Sequence, residues 1–156
     1  HYATPPRLRQ MIDVYEKYGH PVISGIKIEK KEDLVRYGIA KLKPVSDNVS
    51  QILRIYEKPL PKEAPSDIAT HGAYILPPEI FPILENLKPG KSGELWLVDA
   101  IDELIEKMPV YTVEIQNGKY YDTGDKLEYL KTVVEFALTH PDINGAFRNF
   151  LKGLKL

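Results

Sequence analysis

The stretch Leu53-Arg54-Ile55-Tyr56-Glu57-Lys58-Pro59 decides how the rest of the chain is interpreted. Residues 51–56 are rich in aliphatic, β-branched and aromatic side chains, a composition that predicts a buried or half-buried strand. Pro59 ends this strand because proline has no N–H to donate to a neighbouring strand. Glu57 and Lys58 therefore lie at the carboxyl end of a strand, the edge at which open α/β sheets bind ligands.

The chemistry of Glu57 and Lys58 suits a particular kind of ligand. A carboxylate accepts hydrogen bonds from two hydroxyls, and an ammonium is a compact phosphate ligand. Neighbouring strand residues face opposite ways, but a strand end can bend both side chains toward one cleft. The pair fits a ligand with vicinal hydroxyls at one end and a phosphate at the other. The alternative is an ordinary solvated ion pair ahead of a proline-rich loop.

The overall composition excludes several classes of protein. The 156 residues include 21 Lys and Arg and 22 Asp and Glu, so charge gives no reason to expect binding to nucleic acid or to a membrane surface. No cysteine is present, which excludes disulfides and thiolate metal sites. No apolar run approaches the roughly 18 residues of a membrane-spanning helix, and no signal peptide is visible. We expect a single cytoplasmic domain, residues 1–156.

Two glycines interrupt predicted strands close to this stretch. Gly38 opens a strand over residues 37–42, which a turn at 44–50 returns to the strand before Glu57 as a hairpin. Gly72 interrupts a strand over residues 68–76. Either glycine allows a ligand to approach the backbone closely, and either is also explained by a bulge or a turn.

The remaining pattern alternates helices with strands. Thr4 provides a hydroxyl cap for a first helix that Gly19 ends, and Asn117-Gly118 predicts a hairpin with a return strand at 119–122. Further strands are predicted at 21–28 and 109–115, and helices at 79–87, 94–108, 126–139 and 143–151, with a loop at 88–93. The buried helix faces are predicted to include Leu8, Met11, Ile12 and Tyr15; Ile80, Phe81 and Leu84; Leu97, Ala100, Ile101, Leu104 and Ile105; and Leu127, Leu130, Val134 and Leu138.

Asp122 is the second polar residue of interest, because it ends the predicted strand at 119–122 just before Thr-Gly and a helix. Divalent ions such as Mg²⁺ are usually held by one or two carboxylates together with phosphate oxygens. The alternative is a turn or cap residue. Asp125, three residues on, is better explained as the cap of the helix at 126–139.

Taken in order, the polar and glycine-containing motifs resemble those of bacterial-type UTP–glucose-1-phosphate uridylyltransferases. The motifs are Tyr37-Gly38, Glu57-Lys58-Pro59, Ala64-Pro65-Ser66, Gly72-Ala73-Tyr74, Gly93-Glu94-Leu95 with Leu97 and Asp99-Ala100, Tyr121-Asp122-Thr123-Gly124-Asp125-Lys126-Leu127, and then Tyr129-Leu130-Lys131, Val134-Glu135 and His140-Pro141. The resemblance covers nearly the whole chain. The Asp-Thr-Gly element is shared with the related thymidylyltransferases, whereas the Gly-Asp-Lys-Leu continuation is more similar to the uridylyltransferases.

The resemblance implies an α/β fold, the C-terminal part of a Rossmann-like nucleotide-diphospho-sugar transferase, with a mixed sheet flanked by helices. It implies that Gly38, Glu57, Lys58 and Gly72 hold glucose 1-phosphate, with Lys58 catalytic. It further implies that Asp122, also catalytic, holds Mg²⁺ together with an aspartate from an N-terminal half that binds UTP. Trp96 and Val98 stand where this family commonly has glutamine and threonine, which leaves the contacts on the sugar side or at an interface less defined.

Further expectations concern the nucleotide-binding half, the oligomeric state and alternative functions. The chain starts with His1, not Met, and has no glycine-rich phosphate loop, so we expect the N-terminal, nucleotide-binding half to be missing and the fragment alone to be inactive. Half of a sheet exposes an edge, which predicts a homo-oligomer. Two alternatives stay open: a non-catalytic interaction or dimerisation module derived from the same fold, and a sibling transferase that uses dTTP.

Overall fold

The computed structural model describes residues 2–89 and 93–155. Residues 90–92 of the loop predicted at 88–93 lie outside the described residues. The chain divides into two compact units, Tyr2–Gly118 and the residues from Lys119 onward, and each is described by itself. That the chain forms a single domain stays a prediction.

The secondary structure follows most of the predicted alternation of strands and helices. The strands are β1 (Tyr2–Ala3), β2 (Val22–Lys27), β3 (Gly38–Ser46), β4 (Val49–Glu57), β5 (Ile68–Ile75), β6 (Val110–Glu114) and β7 (Gly118–Lys119). The helices are α1 (Arg7–Tyr18), a 3-10 helix (Lys31–Arg36), α2 (Ile80–Asn86), α3 (Leu97–Ile105), α4 (Lys126–Thr139) and α5 (Asn144–Lys152). Among these residues no helix has the length and apolar character needed to cross a membrane.

Five strands form a mixed sheet that closes on itself in the order β2-β5-β3-β4-β6. β6 runs parallel to β2, and the other neighbours are antiparallel, including the predicted β3–β4 hairpin. Each of these five strands therefore has a neighbour on both sides. The open sheet edge expected of a half-domain is absent from the described part of this sheet, and the homo-oligomer stays a prediction without that support.

The core of the larger unit forms where helices cover this sheet. The predicted apolar face of α3 is confirmed, because Ala100, Ile101 and Leu104 are fully buried and pack with α2 against β2, β3, β4 and β6. A second cluster packs α1, through Met11 and Val14, against the sheet. Removing this apolar surface from water is the main contribution to the stability of the unit.

The predicted buried faces of α1 and α2 are correct only in part, because Met11 and Ile80 are buried as predicted but other predicted members are exposed. In α1, Leu8 and Tyr15 are 56% and 44% exposed, and the helix buries Gln10, Met11 and Val14. In α2, Phe81 is 64% exposed. The prediction counted apolar residues alone, whereas the buried face of α1 includes Gln10, whose side chain bonds to the backbone inside the unit.

The start of α1 also differs from the prediction. Pro6 is the N-cap, and no side chain caps this helix end, so Thr4 does not have the predicted role. Instead the backbone N–H of Thr4 donates to the carbonyl of Asn117 at 3.1 Å. The predicted end at Gly19 is confirmed, because Gly19 adopts a left-handed φ of 69° and its N–H donates to Tyr15 O at 2.7 Å.

The hairpin predicted at Asn117-Gly118 is wrong. Asn117 does have the positive φ, 50°, of such a turn, but β7 ends at Lys119 and does not join the five-stranded sheet. The carbonyl of Asn117 accepts from Thr4 and not from a strand returning along β6. Asp122 consequently does not lie at the end of a strand.

The smaller unit, from Lys119 onward, contains α4 and α5. The predicted cap is confirmed, since the Asp125 carboxylate accepts from the N–H groups of Leu127 and Glu128. The predicted buried stripe of α4 is not, because Leu127 and Leu130 are 59% and 60% exposed and the helix buries no residue. The sequence pattern of α4 is amphipathic, but among the described residues of this unit α5 is the one other helix that could cover it.

A clamp of three side chains ties the start of this unit to α4. The Lys119 ammonium donates to both oxygens of the Glu135 carboxylate, at 2.6 and 2.7 Å, and the Tyr121 hydroxyl donates to it at 3.0 Å. The hydrogen bond from Lys119 lowers the pKa of Glu135 below its ordinary value. The clamp fixes the chain immediately before Asp122.

Candidate functional site

Glu57 and Lys58 lie at the end of β4, where the backbone changes direction. Lys58 has a left-handed φ of 47°, which is uncommon for a residue with a side chain. Its N–H still donates to Tyr37 O at 3.1 Å. The Lys58 ammonium lies 3.9 Å from Glu57 Oε1, and the two side chains are 63% and 29% exposed. Both charges therefore face the same accessible space, as the sequence predicts for a strand that bends at its end.

Gly38 faces Glu57 directly across the β3–β4 pair. A Cβ added to Gly38 would lie 3.0 Å from Glu57 Oε2 and 3.2 Å from Ile55 Cγ2. Thr70 Oγ1, 3.3 Å from the same position, donates to Gly38 O at 3.3 Å. Gly38 is buried, and the absence of a side chain at this position makes room for the Glu57 carboxylate.

Gly72 lies in an irregular part of β5. Its φ of 54° is left-handed, and the β2–β5 register shifts opposite this point, where the Ser24 hydroxyl donates to His71 O. Burial raises the pKa of the Tyr74 phenol, a hydrogen bond with the Gly72 backbone opposes that rise, and the charge of Glu57 adds to it. Tyr74 therefore lies near two predicted ligand-binding residues at once.

Tyr37 makes a second connection between the strands that carry the site. Its carbonyl accepts from the Lys58 N–H, and its ring meets the ring of His71 edge-on with centroids 5.9 Å apart. In this region of the larger unit β3 lies between β4 and β5, with Gly38 opposite Glu57 on one side and opposite Thr70, two residues before Gly72, on the other. Gly38, Glu57, Lys58 and Gly72, the four sequence-predicted ligand residues of this unit, all lie in that region.

An open cleft of about 710 Å³ begins at Glu57 and Lys58. Its volume is within the range of roughly 300–1,000 Å³ typical of small-molecule sites. The residues that line it are Arg54, Ile55, Tyr56, Glu57, Lys58, Pro59, Leu60, Glu63, Val98, Asp99 and Asp102. The cleft is therefore bordered by β4, by the proline-rich loop and by α3.

Asp102 is a polar residue of this cleft that the sequence analysis missed. Its Oδ1 accepts from the backbone N–H of Ile55 at 3.0 Å. Burial raises the pKa of the Asp102 carboxyl above its ordinary value, while the Ile55 N–H and the charge of Arg54 oppose that rise. The sequence contains one signal that could have identified Asp102. The residue follows Ile101 on an amphipathic helix, so its carboxylate borders the buried face.

Asp122 belongs to the smaller unit and lies in a turn. Its Oδ1 accepts from the N–H of Gly124 at 3.0 Å, a local bond of the kind that the turn interpretation predicts. Among the described residues, no cluster of three or more His, Asp or Glu side chains could hold a metal ion by itself. The metal-binding role of Asp122 stays a prediction.

Comparison with known proteins gives a consistent set of relatives. A family model described as nucleotidyl transferase matches residues 1–137. A UTP–glucose-1-phosphate uridylyltransferase of Staphylococcus epidermidis is 36% identical over 97% of this chain and 52% of its own length.

Solved structures agree with these sequence relatives. The UTP-bound UGPase of Acinetobacter baumannii superimposes with a TM-score of 0.82 and 31% identity, covering 95% of this chain and 50% of that one. A UDP-glucose pyrophosphorylase complexed with UDP-glucose gives a TM-score of 0.73 and 28% identity, covering 94% and 50%. The chain spans about half the length of the relatives it matches. The predicted fold class is confirmed by these neighbours, and because the family model matches most of its residues, the chain belongs to the nucleotidyl transferase family.

Proposed function

We propose that this chain provides the sugar-phosphate-binding part of an enzyme that transfers a uridylyl group from UTP to glucose 1-phosphate and releases pyrophosphate. A relative named UTP–glucose-1-phosphate uridylyltransferase matches this chain along 97% of the chain's length. The observation that carries the proposal is the pairing of the Lys58 ammonium with the Glu57 carboxylate, 3.9 Å apart, where Gly38 leaves room for that carboxylate.

Each of the four residues in this region has a role that its chemistry supports. The Lys58 ammonium neutralises the phosphate, and the Glu57 carboxylate accepts hydrogen bonds from sugar hydroxyls. Gly72 is exposed and has nothing within 4 Å of its missing Cβ, so its backbone can approach the ligand. Gly38 is buried and acts indirectly, because a Cβ at position 38 would crowd the Glu57 carboxylate.

The reaction requires no general base from the protein. Glucose 1-phosphate is largely a dianion at neutral pH, because the second pKa of a phosphate monoester is about 6. One of its oxygens forms a bond to the α-phosphorus of UTP while the bond from that phosphorus to the bridging oxygen breaks, and pyrophosphate leaves with that electron pair. The contribution of the protein is to align the two anions and to reduce their repulsion.

We also propose that Asp122 provides a ligand for Mg²⁺. A hard carboxylate oxygen fits this ion, which usually takes one or two carboxylates and completes its coordination with phosphate oxygens and water. A single aspartate from this chain is therefore sufficient if a second one comes from the nucleotide-binding half. When bound, the ion supplies positive charge that neutralises the phosphates. Asp122 itself is oriented by its bond from the Gly124 N–H and by the clamp at Glu135.

The proposal that this chain binds glucose 1-phosphate while the other half of the enzyme binds UTP can be tested directly. We expect the 156-residue chain to bind glucose 1-phosphate at least about tenfold more tightly than glucose in isothermal titration calorimetry, because only the phosphate engages Lys58. We expect no UDP-glucose from the chain alone, since UTP would be bound by the other half. Equal binding of both sugars would contradict the phosphate site, and normal turnover by the chain alone would contradict the division.

Gly38→Ala tests whether the glycine makes room for the carboxylate. The new methyl group would lie 3.0 Å from Glu57 Oε2 and 3.2 Å from Ile55 Cγ2, so the carboxylate must move. We expect glucose 1-phosphate binding to weaken about tenfold, the equivalent of one polar contact. Titration of the folded variant measures this, and Gly145→Ala, with nothing within 4 Å of its new Cβ, is the control. Unchanged binding by Gly38→Ala would show that the position of Glu57 does not matter.

A further inference from the structure

The strand that carries Glu57 and Lys58 loses one of its two neighbours before it reaches them. β4 pairs with β6 from Val49 to Ile52, and the pairing stops at Ile52 and Val110. From there to Glu57, β3 is the one strand that pairs with β4 in the described part of the chain. Ile55 is 4% exposed in this half-paired segment, and a buried N–H without an acceptor is costly.

At this point of β4, the Asp102 carboxylate provides the hydrogen-bond acceptor that a neighbouring strand would otherwise provide. Its Oδ1 accepts from the Ile55 N–H at 3.0 Å. The carboxylate comes from α3, whose neighbouring Ala100, Ile101 and Leu104 are fully buried, so the helix holds it in a fixed position. A helix side chain thus continues the hydrogen bonding that β6 provides to the first half of β4.

The bond lies close to the groups of the candidate site. Ile55 is two residues before Glu57 and shares its strand, and its Cγ2 and Glu57 Oε2 both pack against Gly38, at 3.2 and 3.0 Å from the position that a Cβ would take there. Asp102 lines the same cleft as Glu57 and Lys58. A shift of β4 at Ile55 would therefore move the carboxylate relative to Gly38 and change the direction in which Lys58 leaves the strand.

We propose that Asp102 is a positioning residue for sugar-phosphate binding, which fixes the end of β4 through the Ile55 N–H and so holds Glu57 and Lys58 in place. It acts through the backbone, not through contact with the ligand. The inference rests on the proposed function, because it concerns the same site.

The test compares Asp102→Ala, Asp102→Asn and Glu103→Ala in the 156-residue chain. Glu103 is the matched control, an exposed carboxylate on the same helix. Two quantities are measured on each folded variant: hydrogen exchange of the Ile55 amide by NMR, and the Kd of glucose 1-phosphate by calorimetry. The exchange measurement does not depend on the proposed function, whereas the Kd does.

The expected results separate positioning from general stability. Asp102→Ala should accelerate exchange at Ile55 and raise the Kd about tenfold, the equivalent of one hydrogen bond. Asp102→Asn, whose amide oxygen still accepts, should restore both values to within about threefold of wild type. Glu103→Ala should change neither. If Asp102→Ala weakened binding only by lowering stability, Asp102→Asn would not restore both the exchange rate at Ile55 and the Kd.

Three outcomes would overturn the proposal. Faster exchange at Ile55 with an unchanged Kd would show that the bond is structural only. Unchanged exchange in Asp102→Ala would show that the carboxylate does not hold the amide. If Asp102→Ala does not fold, Asp102→Asn decides: a raised Kd with normal Ile55 exchange would point to direct ligand contact instead of positioning. Failure of the wild-type chain to bind glucose 1-phosphate would overturn the proposed function itself.

Discussion

Replacing Lys58 with alanine is expected to lower turnover of the complete enzyme by about a hundredfold or more, the usual effect of removing one charged group that faces transferring phosphates. In the 156-residue chain the same change should weaken glucose 1-phosphate binding by at least tenfold, since a hydrogen bond to a charged group contributes about 1.5–3 kcal/mol. The Lys58 side chain is 63% exposed and its ammonium lies beside Glu57, so its removal leaves a carboxylate facing the phosphate. Steady-state kinetics and calorimetry measure the two effects.

A second variant at the same position separates the charge from the backbone. Lys58 has a φ of 47°, a region that costs a residue with a Cβ about 1 kcal/mol and glycine almost nothing. Lys58→Gly should therefore bind glucose 1-phosphate as weakly as Lys58→Ala does. Its free energy of unfolding should be about 1 kcal/mol higher than that of Lys58→Ala. Lys62→Ala, in the same loop and exposed, is the control for loss of a lysine. Wild-type binding by Lys58→Ala would refute the phosphate role.

The sequence was sufficient to predict most of the elements and the neighbourhood of the candidate site. Runs of aliphatic, β-branched and aromatic residues located β2 to β6, and the residue types at Glu57 and Lys58 indicated a ligand with hydroxyls and a phosphate. The strand pattern also singled out Gly38 and Gly72, to which the resemblance added a role in binding glucose 1-phosphate, and the structure places Gly38 opposite both Glu57 and Thr70. These parts were predictable because each depends on residues close together in the chain or on a motif.

What could not be predicted depends on contacts between distant residues. Closure of the sheet follows from the pairing of β6 with both β2 and β4, which no local pattern specifies. The bond from Ile55 to Asp102 joins residues 47 apart in the sequence. Asn117-Gly118 has the composition of a hairpin, but the backbone of Thr4 bonds to this turn, and a local turn signal contains no information on such a partner.

Gln10→Leu is expected to destabilise the larger unit by about 3 kcal/mol, because unpaired buried polar groups cost about 1–3 kcal/mol each. The Gln10 residue is 9% exposed. Its amide nitrogen donates to Pro5 O at 2.7 Å and to Gln116 O at 3.0 Å, and its Oε1 accepts from the Gln116 N–H at 2.9 Å. Leucine fills a similar volume but satisfies none of these groups, so the change removes hydrogen bonds without creating a large cavity.

The matched control is Gln116→Ala, which removes an exposed amide and leaves the backbone of Gln116 bonded to Gln10. We expect this change to lower the free energy of unfolding by less than about 1 kcal/mol, as for most surface substitutions. Urea unfolding followed by the fluorescence of Trp96, the one tryptophan of the chain, reports on the larger unit, to which Trp96 belongs. Gln10 is the residue that the apolar pattern of α1 could not place, since a pattern of hydrophobic residues treats a buried amide as exposed. Equal effects of the two variants would mean that the three bonds do not fix the face that α1 buries.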